Sequence, residues 1–194
     1  MKVAIIKYNA GNTASVANAL GRLGIEPLIT DDAEILKSAD KVIFPGVGEA
    51  STAMKYLLTR GLDTVITSLT QPVLGICLGM QLLCADSEEN DTKCLGVVPN
   101  RVRKFESVTL KIPHVGWNTV RDLSSNIFDG VECGEHLYFV HGYYVELGKA
   151  TTGTCEYGVK FSAAVEHRNF YGVQFHCEKS GDAGQQILEN FLKI

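Results

Sequence analysis

The chain has 194 residues, of which 45% are hydrophobic and 8% aromatic, a balance that fits one folded domain over residues 1–194 and excludes a disordered chain. With 18 Lys and Arg against 22 Asp and Glu, its formal net charge is −4, and it has no basic stripe of the kind that follows a phosphate backbone. No apolar run approaches the roughly 18 residues of a membrane span. We therefore expect neither nucleic acid nor a membrane as partner.

The N-terminus and the cysteines predict the compartment. Met1 and Lys2 lead directly into an apolar segment, without the apolar region and small-residue cleavage site of a signal peptide, so we expect a cytoplasmic protein. The six cysteines include no C-x-x-C pair, and a chain of this length needs no disulfide framework. We predict reduced thiols, no metal site and no cofactor.

The first half of the chain alternates short apolar strands with segments of helical spacing. Strands are predicted at 2–7, 27–30, 41–44 and 71–76, and helices at 13–23, 33–39 and 50–61. Gly24 follows the first helix, as expected of a helix C-terminal stop. Short strands that are apolar on both faces and alternate with helices are typical of a parallel sheet covered on both sides. The prediction is an open α/β fold of the flavodoxin-like type, with a mostly parallel sheet and helices on both faces.

After about residue 95 the pattern changes to short alternating or aromatic-rich segments, which predict antiparallel hairpins. Strands are expected at 102–105, 108–112, 136–145, 151–156, 163–167 and 170–175. A last helix is expected at 184–194, where apolar residues recur at helical spacing.

The segment 72–83 carries the clearest chemical signal. It runs from an apolar strand through a turn into an apolar helix, with Cys77 at the bend between Gly75 and Gly79. Glycines two residues before and after leave room for a tight strand-to-helix turn, as in the G-x-S-x-G nucleophile elbow. A sulfur at a helix N-terminus is favoured as thiolate, so Cys77 is a candidate nucleophile. A buried structural cysteine is the alternative.

A thiol nucleophile needs a base and a group that orients the base. His176 and Glu178 lie where the strand 170–175 ends, and their i, i+2 spacing puts both side chains on one face of an extended chain. They are a candidate base and orienting carboxylate, with a surface ion pair as the alternative. His141 is a competing base that the sequence leaves open.

Two backbone N–H groups are candidates for an oxyanion hole. The N–H of Leu78, directly after the nucleophile, is in the expected place. The second is expected from Val47, because the flanking Gly46 and Gly48 let the backbone approach a ligand and turn an N–H inward. An ordinary glycine-rich turn is the alternative for this segment.

The motif Gly75-Ile76-Cys77-Leu78-Gly79-Met80-Gln81, together with Gln174-Phe175-His176-x-Glu178, resembles the class I (triad) glutamine amidotransferases. The resemblance implies hydrolysis of glutamine to glutamate and ammonia, with Cys77, His176 and Glu178 as the triad. It also implies a set of glutamine-contacting positions, namely Gly46, Gly48, Leu78, Gln81, Gly142 and Tyr143. One residue departs from the pattern, since Cys177 stands where the family usually has proline, and it puts a second thiol near the site.

Three further segments, 45–48, 113–118 and 138–141, resemble one branch of that family. The branch implies a free-standing glutaminase that forms a heterodimer with a (β/α)₈-barrel synthase and passes ammonia to it. The implied partner surface comprises Asn12, Trp117, Tyr138 and Lys179, with Trp117 on an exposed loop.

Other interpretations use the same residues differently. Related glutaminases that serve other synthases share the triad and differ in partner. A cysteine hydrolase or redox sensor on a similar sheet, and a non-catalytic binding protein, are alternatives outside the family. Gln81 and the His-x-Glu pair argue against these two.

Overall fold

The computed structural model describes residues 1–194. Its strands are β1 (Val3–Ile6), β2 (Leu28–Thr30), β3 (Lys41–Gly46), β4 (Val73–Cys77), β5 (Asp86–Ser87), β6 (Thr92–Lys93), β7 (Val102–Lys104), β8 (His114–Val120), β9 (Glu135–His141), β10 (Tyr143–Val145), β11 (Thr151–Tyr157), β12 (Val159–His167) and β13 (Phe170–Val173). Its helices are α1 (Thr13–Arg22), α2 (Ala33–Ser38), α3 (Ala50–Arg60), α4 (Leu62–Thr67), α5 (Leu78–Leu83) and α6 (Gly181–Lys193).

Eleven strands form one mixed sheet in the order β2-β1-β3-β4-β13-β12-β10-β7-β5-β6, with β11 paired to β12. The first five strands in this order are parallel, and β12 and β10 continue the sheet in antiparallel pairing. Every residue of β1, β3 and β4 is buried, as expected of strands covered on both faces. The predicted fold class is confirmed, including the antiparallel second half.

Two hydrophobic clusters hold the helices against this sheet. Alternate residues of β1 belong to different clusters, Ala4 and Ile6 to one and Val3 and Ile5 to the other, so the clusters lie on opposite faces. The first cluster takes the apolar side chains of α2, α3, α4 and α5, and the second those of α1 and α6. None of the helices is both long and apolar enough to cross a membrane.

Strands β8 and β9 form a separate two-stranded antiparallel sheet, which we call the β8–β9 ribbon. Its register runs from His114 opposite His141 to Val120 opposite Glu135. Only Gly142 separates the end of β9 from the start of β10, which belongs to the main sheet. The chain therefore passes from one sheet to the other within a single residue.

Three parts of the sequence prediction are wrong in the second half. Segment 108–112 is not a strand, because the Ser107 hydroxyl accepts the N–H groups of Thr109 and Leu110 and closes a local turn. The strand expected at 136–145 is divided at Gly142 between two sheets. The loop expected around Trp117 is strand β8.

Gly79 lets α5 lie directly on β3, and its replacement tests that packing. A Cβ built on Gly79 lies 1.8 Å from the Phe44 carbonyl oxygen, a backbone atom that cannot move aside cheaply. Gly79→Ala should lower the free energy of unfolding by about 3 kcal/mol, as overpacked cores do, measured by urea denaturation.

Gly21→Ala is the matched control for this change. A Cβ on Gly21, in α1, meets nothing within 4 Å, and alanine is the better helix former by up to about 1 kcal/mol. Its stability should stay level or rise. A Gly79→Ala protein with the wild-type urea midpoint would contradict the packing account.

Candidate active site

Cys77 stands at a strained bend between β4 and α5. Its φ of 54° and ψ of −110° lie in a region that non-glycine residues rarely adopt, at a cost of about 1–3 kcal/mol. Close packing enforces the bend, since a Cβ on Gly75 lies 2.7 Å from the Met80 nitrogen. The side chain of Cys77 therefore lies at the carboxyl end of a central parallel strand, where ligands bind in open α/β sheets.

A cavity of about 390 Å³ opens at this end of the sheet, within the range of small-molecule sites. All the predicted catalytic, oxyanion and glutamine-contacting residues line it except Glu178 and Gly46. Gly46 lies under the elbow, where an added Cβ would come 2.5 Å from the Gly79 nitrogen. Glu178 lies behind His176.

His176 and Glu178 form a buried pair beside the cysteine. Their Nδ1 and Oε1 atoms are 2.8 Å apart, and the side chains are 4% and 2% exposed, which excludes a surface ion pair. The pairing comes from a 3₁₀ turn over Cys177–Lys179 and not from the extended chain that the spacing suggested. The His176 N–H donates to the Tyr138 carbonyl at 2.9 Å, so the β8–β9 ribbon fixes the backbone of this turn.

The His176 ring favours its protonated form. Burial opposes the imidazolium, but Cys77 and Glu178 outweigh burial and raise the pKa of His176 to about 10. Glu178 occupies Nδ1, which leaves Nε2 for the sulfur. A charged imidazole is the partner that a thiolate nucleophile requires.

His141 also lines the cavity, but both of its ring nitrogens are engaged. Nδ1 lies 2.7 Å from the Tyr143 carbonyl oxygen and Nε2 lies 2.9 Å from His114 Nδ1. Burial lowers the pKa of His141 to about 3, although the hydrogen bond to the Tyr143 carbonyl acts in the opposite direction. With no free lone pair and a strong preference for the neutral ring, His141 is not available as the competing base.

The two expected oxyanion donors differ in whether their N–H group already has a hydrogen-bond acceptor. Leu78 is the first residue of α5, and the first N–H groups of a helix have no intrahelical acceptor. Contrary to expectation, the Val47 N–H points away from the site and donates to the Ala10 carbonyl at 2.6 Å. Gly48, with φ of 107°, supplies the backbone freedom that a rotation of this segment needs.

Sequence reasoning missed two residues, one that lines the cavity and one that contacts β3. Glu89 lines it and accepts the Ala50 N–H at 2.7 Å, and burial raises the pKa of Glu89, with Glu49 adding to the effect. Nothing in the acidic segment 86–91 marks Glu89 out. Tyr8 donates to the Pro45 carbonyl at 2.7 Å, and it has no sequence signal beyond its place after β1.

Three of the four predicted partner residues meet on one exposed face. Trp117 is 56% exposed and its ring lies 5.8 Å from that of Tyr138, edge to face. The Lys179 Nζ lies 6.0 Å from the centre of the Tyr138 ring. Asn12, the fourth, caps α1, and its side chain bonds to Ser15.

No cluster of three or more His, Cys, Asp or Glu side chains is arranged to hold a metal ion. The groups that meet at the cavity are a thiol, an imidazole, a carboxylate and backbone N–H groups. Such a set of groups is suited to acyl transfer through a covalent thioester.

Comparison with known proteins agrees with this chemistry. Residues 4–194 match the family described as glutamine amidotransferase class-I, and the chain belongs to that family. It is 54% identical to the imidazole glycerol phosphate synthase subunit HisH of Bacteroides fragilis (strain YCH46), and 45% identical to the protein of the same name in Escherichia coli (strain K12). Both alignments cover 100% of this chain and of the relative.

Two solved structures share the fold at low sequence identity. A crystal structure of a glutamine amidotransferase superposes with a TM-score of 0.77 at 19% identity, covering 100% of this chain and 98% of that one. A chain in the structure of PurLQS from Thermotoga maritima gives 0.74 at 18%, covering 99% and 97%. These likenesses support the fold assignment.

Substitutions at the triad should separate the roles of its members. Cys77→Ala should abolish glutamine hydrolysis, and His176→Ala should lower kcat by ~10²–10⁴, the usual worth of general acid–base catalysis. Glu178→Gln should cost less, because an orienting group does not take the proton. The measurement is glutamate release at saturating glutamine. If His141→Ala lost more activity than His176→Ala, the assignment of the base would be wrong.

Cys177 is not a second thiol in the cavity. It is 2% exposed and packs among apolar residues that include Ile187 and Leu188 of α6, and burial raises the pKa of the Cys177 thiol. It is the first residue of a 3₁₀ turn, a position that tolerates proline because its N–H has no intrahelical partner. The preceding residue, His176, already has the extended backbone that proline requires.

Cys177→Pro should therefore keep or raise glutaminase activity. Proline stiffens the turn without removing an intrahelical hydrogen bond. The check is kcat/KM for glutamine, with Cys177→Ala as the control that removes the thiol alone. A loss beyond tenfold for proline but not for alanine would contradict this view of the turn.

Proposed function

We propose that the chain is the glutaminase subunit of an imidazole glycerol phosphate synthase in histidine biosynthesis, and that it hydrolyses L-glutamine to L-glutamate and ammonia. The observation that carries this proposal is the buried His176–Glu178 pair beside the strained Cys77 elbow. The full-length identity of 54% to a HisH subunit supports the choice of synthase. The six free thiols support a cytoplasmic setting.

In the first half of the reaction, the Cys77 sulfur attacks the side-chain amide carbon of glutamine. A carbon–sulfur bond forms and the carbonyl electrons move to oxygen, which the Leu78 N–H stabilises. The His176 imidazolium then protonates the amide nitrogen. The carbon–nitrogen bond breaks, ammonia leaves, and a γ-glutamyl thioester remains on Cys77.

In the second half, water attacks the thioester carbon while His176, now neutral, takes a proton from the water. The tetrahedral adduct collapses and releases glutamate, and the sulfur leaves as thiolate beside the reprotonated imidazole. Glu178 keeps Nδ1 protonated through both steps, so that Nε2 alone exchanges the proton.

Glutamine binding needs groups for its α-amino and α-carboxylate ends. The Gln81 Nε2 donates to the Tyr143 carbonyl and to Gln174 Oε1, both at 2.9 Å. Because the amide nitrogen is committed to these two acceptors, the Gln81 oxygen remains for the substrate ammonium. The Glu89 carboxylate, on the wall of the same cavity, supplies the opposite charge for that ammonium.

The exposed face that carries Trp117, Tyr138 and Lys179 is the proposed docking surface for a (β/α)₈-barrel cyclase subunit, in a heterodimer. Large aromatic side chains dominate binding energy at protein interfaces. Lys179 also lines the cavity, so this surface adjoins the site where ammonia forms. Delivery of ammonia to the cyclase then needs no passage through solvent.

The hydrogen bond from the Val47 N–H to the Ala10 carbonyl suggests how binding of the partner controls the glutaminase activity. With one donor turned away, the oxyanion hole is incomplete, and loss of one donor typically costs ~10²–10³ in kcat. Binding of the cyclase subunit, loaded with its own ligand, is proposed to favour rotation of the Val47 peptide toward the oxyanion. Glutamine is then consumed only when an acceptor is waiting.

Glutaminase assays with the cyclase subunit test this proposal. Activity should be weak in the isolated chain and rise by about 10²-fold or more when cyclase carrying phosphoribosyl-formimino aminoimidazole carboxamide ribotide is added. Trp117→Ala should weaken cyclase affinity and reduce stimulation. Leu58→Ala, which changes an exposed leucine of α3, is the matched control and should behave as wild type.

Two results would count against the proposal. Full activity in the isolated wild-type chain would refute the switch at Val47. Unchanged affinity and stimulation in Trp117→Ala would refute the docking surface and leave the glutaminase assignment standing.

A further inference from the structure

A continuous chain of hydrogen bonds runs behind the cavity, from the β8–β9 ribbon to the nucleophile. Asn118 Nδ2 lies 3.3 Å from His114 Nε2, and His114 Nδ1 lies 2.9 Å from His141 Nε2. His141 Nδ1 lies 2.7 Å from the Tyr143 carbonyl oxygen. Each contact shares a residue with the next, so no gap separates the ribbon from β10.

The second half of the chain reaches the sulfur. The Tyr143 carbonyl, which has two lone pairs, also accepts the amide of Gln81 at 2.9 Å. Gln81 donates in addition to Gln174 Oε1 at 2.9 Å, and Gln174 Nε2 lies 3.7 Å from Cys77 Sγ. Gln174 is fully buried, and its amide nitrogen donates to the sulfur.

Only one arrangement of protons satisfies the two imidazoles. A carbonyl cannot donate, so His141 Nδ1 must carry a hydrogen, and Nε2 of a neutral ring is then an acceptor. His114 must therefore donate from Nδ1, and its own Nε2 accepts from Asn118. A proton added to His141 Nε2 would set two N–H groups against each other at 2.9 Å. Burial agrees with neutral rings, since it lowers the pKa of His114 to about 4.

The position of the pair in the fold gives it a mechanical role. His141 is the last residue of β9 and Tyr143 the first of β10, so the His141–Tyr143 hydrogen bond spans the junction between the ribbon and the main sheet. His114 stacks between Tyr157 and Phe139, with ring centres 4.0 and 5.0 Å away. Such packing leaves neither ring free to rotate.

Two buried imidazoles in an aromatic cluster carry a risk for stability. Each buried polar group without a partner would cost about 1–3 kcal/mol, and apolar side chains of similar size fill such sites without that risk. A fully satisfied polar network instead specifies one arrangement of the groups that it joins. Here the groups at its end are the glutamine-binding amide and the nucleophile.

We propose that His114 and His141 are positioning residues, which fix the Tyr143 carbonyl and through it the amides of Gln81 and Gln174 against Cys77. Neither imidazole exchanges a proton in the reaction. This inference rests on the proposed glutaminase function and adds to it the element that sets glutamine affinity. It also makes the ribbon, whose outer face is the proposed docking surface, a rigid extension of the substrate site.

The test measures L-glutamine affinity by calorimetry in the Cys77→Ser background, where no turnover occurs. His141→Leu removes the donor to Tyr143 at similar volume, and His114→Leu removes the donor to His141. We expect Kd to rise about tenfold for His141→Leu and by a smaller factor for His114→Leu, since one buried hydrogen bond is worth roughly one decade of affinity.

A conservative variant separates positioning from packing. The Nδ2 of an asparagine takes the place of the histidine Nδ1, so His141→Asn should recover most of the affinity although its smaller side chain packs less well. Thermal unfolding of each variant checks the fold, and His114→Leu serves if His141→Leu does not fold. His136→Leu, at an exposed histidine of β9, is the control and should bind glutamine as the parent does.

The outcomes distinguish this inference from the function on which it rests. Unchanged Kd in both leucine variants, or no recovery in His141→Asn at equal thermal stability, overturns the positioning role. Absence of glutamine hydrolysis by the wild-type chain with its cyclase overturns the proposed function. Absence of glutamine binding in the Cys77→Ser parent overturns both.

Discussion

The left-handed backbone at Cys77 is the constraint on which the rest of the site depends. A φ of 54° is tolerated only because β3, β4 and α5 pack so closely that glycine is required at 46, 75 and 79. That packing directs the sulfur into the cavity and leaves the Leu78 N–H beside it. The local strain of the elbow is therefore offset by the burial of the central sheet, whose strands β3 and β4 are buried at every residue.

The other groups of the site are supplied by separate segments of the chain. The turn after β13 brings His176 and Glu178, the loop after β3 brings Val47, and the β8–β9 ribbon ties both His176 and Tyr143 into place. The edge of β9 contacts the catalytic turn through the Tyr138 carbonyl, and the ribbon presents Trp117 outward. One element thus connects the surface proposed for the partner with the chemistry in the cavity.

Features that depend on neighbouring residues could be predicted well from the sequence. Features that depend on contacts between distant segments could not. The glycines around Cys77, the apolar strands and the periodicity of α6 each reflect neighbouring residues, so a pattern reveals them. The alternation at 136–145 predicted strand but not the change of sheet at Gly142, because a pairing partner leaves no mark on local pattern. The hydrogen bond of Val47 to Ala10 and the place of Glu89 depend on contacts between distant segments, so no local pattern could reveal either.

The most direct test of the account is to identify the covalent intermediate. The chain, mixed with its cyclase and L-glutamine and quenched in acid during turnover, should yield a peptide spanning Cys77 that carries a γ-glutamyl group, detected by mass spectrometry. The adduct should be absent from Cys84, the neighbouring buried thiol. Glutamate release without any adduct on Cys77, or with the adduct on another residue, would contradict the central claim that the elbow cysteine is the nucleophile.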